Sequence, residues 1–272
     1  WITYGATLTD LDGDGRLDAL VAGVGGITAV SAEGKRLWQF NELSRLECPV
    51  AVLERPGLPT RLYIGDNQGR FVCLDAQGQV IWRTTLTGTV NWTAACICDL
   101  TGDGKFEIVQ GDRSHHVTAM DAESGSKIWE AEVLGSVDAS MAVADLEDDG
   151  KVEVVVPCSI GETQVLNSDG TTRWHTKIAD ELYTAPVVFT ASDGGKRIVA
   201  GSGDAVVTCL DAAGNVLWKH RLDSSTDSSV SVGDIDQDGR PDVFLVTQGG
   251  QIWRFDEDGN PLWQLLMGSR SD

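Results

Sequence analysis

No stretch of this 272-residue sequence stays apolar long enough to cross a bilayer, and no signal peptide is visible. The chain opens on Trp1 inside an alternating strand pattern, as a processed protein or an excised domain would. Basic side chains are scarce, 21 against 41 acidic, and the net charge of −20 argues against nucleic acid or an anionic membrane surface as a partner. Helical periodicity is nearly absent. So are a nucleophile elbow, a phosphate-binding loop and a histidine metal motif. The six cysteines do not resemble a disulfide framework. Cys73 and Cys209 fall at one repeat position where Ala119 stands in another copy, so small, buried, free thiols are expected.

What the chain has instead is a period. Trp38, Trp82, Trp129, Trp174, Trp218 and Trp263 are separated by 44, 47, 45, 44 and 45 residues. Each Trp follows a strand-like segment closed by a small-residue turn, such as Phe71-Val-Cys-Leu-Asp-Ala-Gln-Gly or Val206-Val-Thr-Cys-Leu-Asp-Ala-Ala-Gly. Upstream lies a β-branched run such as Val152-Glu-Val-Val-Val, and before that an alternating strand. Four short antiparallel strands per period describe a propeller blade, a unit too thin to bury both faces without neighbours. The sequence therefore predicts an all-β, six-bladed β-propeller, with blades near 1–43, 44–88, 89–134, 135–179, 180–223 and 224–272. The ring is expected to close without a strand shared between the termini. Asp10 to Asp145 and Asp99 to Asp234 are both 135 apart, and Trp82 to Trp218 is 136, so a three-blade unit is written twice, as halves 1–136 and 137–272 of a single domain.

Four loops break the apolar pattern: Asp10-Leu-Asp12-Gly-Asp14-Gly-Arg-Leu-Asp18, Asp99-Leu-Thr101-Gly-Asp103-Gly-Lys-Phe-Glu107, Asp145-Leu-Glu147-Asp-Asp149-Gly-Lys-Val-Glu153 and Asp234-Ile-Asp236-Gln-Asp238-Gly-Arg-Pro-Asp242. Oxygen side chains at positions 1, 3, 5 and 9, with glycine at position 6 to reverse the backbone, suit a hard cation that takes six to eight oxygen ligands. Ca2+ at about four sites is the expectation. Blades 2 and 5 lack the loop, having Glu54-Arg-Pro-Gly-Leu-Pro-Thr and Thr190-Ala-Ser-Asp-Gly-Gly-Lys.

These loops resemble the FG-GAP/VCBS repeats, the Ca2+-binding propeller repeats of integrin α chains and of many bacterial surface proteins. The Leu-Asp-Ala-x-Gly-x-x-x-Trp segments, seen at Leu74 to Trp82 and Leu210 to Trp218, resemble the pyrroloquinoline-quinone-type (PQQ-like) propeller repeat. The first resemblance implies ligands at Asp10, Asp12, Asp14 and Asp18 and at their counterparts in the other three loops. It also implies backbone carbonyls at position 7, from Arg16, Lys105, Lys151 and Arg240. Thr101 in place of an acid should weaken its site, and Asp148 replaces the small residue usual at position 4. Quinoprotein dehydrogenases match poorly, since an Ile separates Cys96 from Cys98, and no quinone cofactor is expected.

The periodic Trp residues read best as packing between sheets. Trp92 lies off that register. Counting back seven residues from the acidic loops gives Thr3, Trp92, Asp138 and Asp227, and the loopless blades supply Leu46 and Tyr183; these should begin the inner strands and ring the mouth of a channel, on the face opposite the metal loops. The turn Asp112-Arg113-Ser-His115-His116 belongs on the same face. A ligand site is expected among Asn91, Trp92, Arg113, His115, His116, Asp138, Tyr183 and Asp227. The functional expectation is a non-catalytic, calcium-stabilised binding module for carbohydrate or protein. Its setting is extracellular, periplasmic or cell-surface, as a monomer or part of a larger chain. The alternatives are a polysaccharide-active lyase or hydrolase using His115, His116, Tyr183 and Asp138, and a structural domain of a larger surface protein.

Overall fold

The structure, a computed structural model, describes residues 5–226 and 228–267. These residues form 24 strands and no helix. The strands make six antiparallel four-stranded sheets, each built from four consecutive strands, so no blade borrows a strand from the other end of the chain. The six-bladed β-propeller expected from the Trp period is the fold.

Blade 2 shows the unit: strands Ala51–Arg55, Leu58–Gly65, Arg70–Asp75 and Val80–Thr85 in hairpin succession. Its third strand closes through the Asp of the Asp-Ala-x-Gly turn. Asp75 Oδ1 accepts the amides of Gln77 and Gln79 at 2.9 and 2.8 Å, and the amide of Gly78 donates to the Asp75 carbonyl at 3.0 Å. Asp211 and Asp256 close the same turn in blades 5 and 6. Every blade carries a register shift in the third strand, directly after the residue that faces the periodic Trp. That residue is Ala29, Cys73, Ala119, Val165, Cys209 or Arg254. Five of the six are small or β-branched because an indole stands opposite, which accounts for the shared position of Cys73 and Cys209.

The blades group into two compact units, the first three in one and the last three in the other, with residues 100–102 grouping with the second. Within the first unit, the core is a cluster that includes Leu20, Leu62, Tyr63, Phe71, Leu74 and Ile108, all fully buried. Within the second, Val155, Val165, Leu182 and Ile198 form one cluster and Val199, Val207, Leu245 and Phe255 another.

The Trp residues lock one blade onto the next. The indole N–H groups of Trp38, Trp82, Trp174 and Trp218 donate to the carbonyls of Ala76, Ala122, Ala212 and Glu257 of the following blade at 2.8 to 3.0 Å. Each ring lies on the turn glycine of that blade. A Cβ built on Gly78, Gly125, Gly214 or Gly259 would come within 2.4 to 2.7 Å of the indole, and all four glycines have positive φ. Trp263 departs from the packing expected of all six: it is 41% exposed, beside exposed Leu262, Leu265 and Leu266.

All six cysteines are free, and five are buried. Burial pushes the thiols of Cys48, Cys73, Cys98 and Cys209 up to about 12, as inert small apolar side chains require.

Candidate functional site

The acidic loops join the first and second strands of blades 1, 3, 4 and 6 and share one backbone. Position 6 has φ between +83° and +87° at Gly15, Gly104, Gly150 and Gly239. Position 4 is left-handed too, at no cost in Gly13 and Gly102 but against a side chain in Asp148 and Gln237. The carboxylate at position 1 closes each turn. Asp10 accepts the amides of Gly13 and Gly15, and Asp99, Asp145 and Asp234 each accept the amides of positions 5 and 6. Position 5 accepts the amide of position 7, from Asp14, Asp103, Asp149 and Asp238. The buried acids Asp18, Glu153 and Asp242 at position 9 accept the amide of position 2.

The loops differ in what else reaches their carboxylates. In the first, Asp10, Asp12 and Asp18 bring one oxygen each to within 4.8 Å of one another. Asp14 turns away to Arg16, whose guanidinium holds the Asp14 carboxyl below its usual range. In the fourth, Asp234, Asp236 and Asp238 lie equally close. There, however, Arg254 donates to Asp242 at 2.9 and 2.8 Å and also to Asp236. In the third, Arg173 pairs with Glu147 and lies 4.0 Å from Glu153.

At the other end of blade 3 the second candidate site assembles. Trp92 and Asp138 lie four residues ahead of the first strands of their blades, which start at Cys96 and Ala142, so they do not begin those strands as expected. Tyr183 likewise precedes the strand Val187–Thr190. The segment around Trp92 is held by backbone bonds: Trp92 N–H to the Glu47 carbonyl at 3.2 Å and Arg113 N–H to the Thr89 carbonyl at 3.1 Å. Trp92 sits at φ 60°, a strained position for a bulky residue, with its side chain 38% exposed. The Arg113 guanidinium carbon lies 5.2 Å from the Trp92 ring centre, while its Nε pairs with the buried Asp138 at 2.8 Å. Ser136 donates to the other Asp138 oxygen at 2.7 Å. Alongside, the buried Glu47 takes Asn91 Nδ2 and an Arg45 guanidinium nitrogen, each at 2.6 Å.

Asn91, Trp92, Arg113 and Asp138 therefore meet. The turn that carries Arg113 also carries His115 and His116. His115 is exposed at φ 68° on its turn; His116 is half-buried, its Nδ1 3.8 Å from Asp112. Tyr183 belongs to the other unit and is 42% exposed, and Asp227, like Thr3, lies outside the described residues. Asp138, one of the residues of the enzymatic alternative, is engaged by Arg113 and Ser136. Arg45, Glu47 and Ser136 are the members that sequence reasoning missed. Nothing in their local pattern marks them, since only the packing of consecutive blades brings them to Asn91 and Asp138.

A family model described as outer membrane protein assembly factor BamB, built on the PQQ-type repeat, matches residues 23–188 and 164–272. The chain belongs to the BamB family. Relatives include BamB of Yersinia pestis, 26% identical over 78% of this chain and 56% of that one, and BamB of Salmonella typhimurium, 30% identical over 61% and 55%. The chain thus spans about half the length of the curated BamB proteins it matches. A lambda-carrageenase of Pseudoalteromonas sp is 30% identical over 35% of this chain, which is 10% of that enzyme. Among solved structures, BamB from Moraxella catarrhalis matches 97% of the chain and 75% of its own length at a TM-score of 0.66 and 18% identity, a likeness of fold. The PQQ-type half of the sequence resemblance is the one that the BamB match carries. The extracellular, periplasmic or cell-surface setting agrees with the family, and no helix among the described residues is long and apolar enough to cross a membrane.

Proposed function

We propose that the chain is a non-catalytic interaction module of outer-membrane protein assembly, that it grips a protein partner at Trp92 and Arg113, and that Ca2+ fastens the loop Asp10–Asp18. The grip rests on one observation: an exposed indole on a strained backbone lies against a guanidinium already fixed by a buried carboxylate. Trp and Arg dominate binding hot spots, and a pre-set pair loses little freedom on docking. The BamB match supplies the class of partner. To test this, the immobilised chain is probed with solubilised outer-membrane assembly machinery of Salmonella typhimurium and, separately, with lambda-carrageenan. Trp92→Ala is expected to weaken capture of the former at least tenfold, about 1.4 kcal/mol, with the melting temperature unchanged. Capture of the machinery by Trp92→Ala at the wild-type level, or tight binding to the polysaccharide alone, would overturn the reading.

Calcium suits the first loop because three carboxylate oxygens already converge within 4.8 Å and no guanidinium of the repeat lies on them. The Arg16 carbonyl at position 7 would add a fourth ligand, and the ion would tie the turn to the start of the second strand at Asp18. With millimolar calcium and a dissociation constant near 0.1 mM, the ion would add about 1.4 kcal/mol of stability. A chelator is expected to lower the melting temperature by about 2–4 °C, with Asp12→Asn removing most of that response.

A further inference from the structure

The resemblance to calcium-binding repeats treats all four acidic loops alike, and the structure divides them. Six copies of one repeat allow each side chain to be compared with its counterparts. The residue before the periodic Trp is Leu37, Ile81, Ile128, Leu217 or Leu262 in five blades and Arg173 in blade 4. The residue opposite the periodic Trp is Ala29, Cys73, Ala119, Val165 or Cys209 in five blades and Arg254 in blade 6. These are two independent departures, on different strands, from an apolar consensus.

Both departures end in the same place. Arg173 reaches Glu147 and Glu153, positions 3 and 9 of the loop in its own blade. Arg254 reaches Asp236 and Asp242, again positions 3 and 9. Arg254 is 9% exposed and sits on Asp242, itself 4% exposed, so the guanidinium lies where the loop meets the sheet. In blades 1 and 3 the same two repeat positions hold Leu37 with Ala29 and Ile128 with Ala119, none of them charged. Arginine thus appears in two of the four blades with an acidic loop and in neither of the loopless blades 2 and 5.

We infer that the guanidinium groups of Arg173 and Arg254 take the cation's place in the third and fourth acidic loops, which are therefore metal-independent. A planar guanidinium can bridge two carboxylates that a divalent ion would otherwise share, and it brings one positive charge that cannot be deprotonated or chelated. Calcium binding is confined to the loops at Asp10 and Asp99, the second weakened by Thr101. This rests on the proposed calcium role of the acidic loops, but it makes a separate claim about number.

The test is a count of calcium ions bound per chain by equilibrium dialysis at millimolar calcium, for the wild type and for variants that restore the repeat consensus, Arg254→Ala and Arg173→Leu. The expected result is at most two ions for the wild type, one more for each variant and two more for the double variant. Arg254→Lys, which keeps a cation there, should add none. Circular dichroism in calcium identifies any variant that has failed to fold, and Arg173, on an outer strand, supplies the milder change should Arg254→Ala do so. Four ions on the wild type, or no gain in any folded consensus variant, would overturn the inference. No ion on the wild type together with a gain in the variants would sink the calcium reading of the first loop and leave the role of the arginines standing.

Discussion

Trp82→Ala is expected to lower the unfolding free energy by about 3–5 kcal/mol, a large share of the 5–15 kcal/mol typical of a domain. Trp82 is 8% exposed and lies with its ring centre 5.9 Å from that of Tyr63 and 6.1 Å from that of Phe71. Its Nε1 donates to the Ala122 carbonyl of the next blade at 3.0 Å, an acceptor that Tyr63 Oη also reaches at 3.2 Å. Truncation empties the space between two sheets and removes one of the bonds that join them. The converse change is Gly125→Ala, whose Cβ would stand 2.5 Å from the indole on a backbone at φ +69°. Overpacking and a left-handed alanine together should cost about 2–4 kcal/mol. The two substitutions interact, because the cavity left by Trp82→Ala removes the clash with the new methyl group while leaving the backbone strain. In urea unfolding the double variant should fall short of the summed losses by about 1–2 kcal/mol. A loss below 1 kcal/mol for Trp82→Ala, or strict additivity, would show that the interlock does not hold the blades together.

That interlock explains why the fold was legible. The indoles of Trp38, Trp82, Trp174 and Trp218 each find a glycine turn on the next blade, so the Trp spacing reports the blade spacing. The small residue at Cys73, Ala119 and Cys209 follows from the same ring standing opposite it. The acidic loops were legible as turns because each amide that donates to a position-1 carboxylate lies within six residues of it in sequence. What surrounds them was not. Arg254 reaches Asp236 across a sheet, 18 residues away, and only the repeat comparison marks it as unusual. The Trp92 site was half visible: its aromatic, its arginine and one acid stood out by type, while Glu47 and Arg45 belong to the preceding blade and join it through backbone pairing between linkers. His115 and His116 drew notice on a polar turn assigned to the same face, and in the structure His115 sits at a strained φ while His116 lies against Asp112.

Asp66→Ala should cost about 3–5 kcal/mol and Asp66→Asn about 2 kcal/mol, since both leave buried donors without their acceptor. Asp66 directly follows the second strand of blade 2 and is fully buried. Its carboxylate accepts the amides of Ser44, Gln68 and Arg70 at 2.9, 2.9 and 3.0 Å and the Arg70 guanidinium at 2.8 and 2.5 Å. Burial alone would raise the Asp66 carboxyl, but these donors outweigh it and carry the group below its usual value. A depressed carboxyl contributes stability that is fully present above the unfolded value near 3.9 and is lost as pH falls through the lower folded value. The gap between wild type and Asp66→Asn should therefore be widest at pH 7 and narrow steadily below about pH 4; a gap that stays constant to pH 2 would contradict this origin. The same residue ties the grip to the sheet. Its carboxylate holds Ser44 and its carbonyl accepts the amide of Val90 at 3.0 Å, so the linkers bearing Arg45 with Glu47 and Asn91 with Trp92 are both anchored on it. Asp66→Asn should speed hydrogen exchange at the amides of Ser44 and Val90 and weaken partner capture without touching the partner. Wild-type exchange at both amides in a destabilised variant would mean that Asp66 supports the blade and not the position of Trp92.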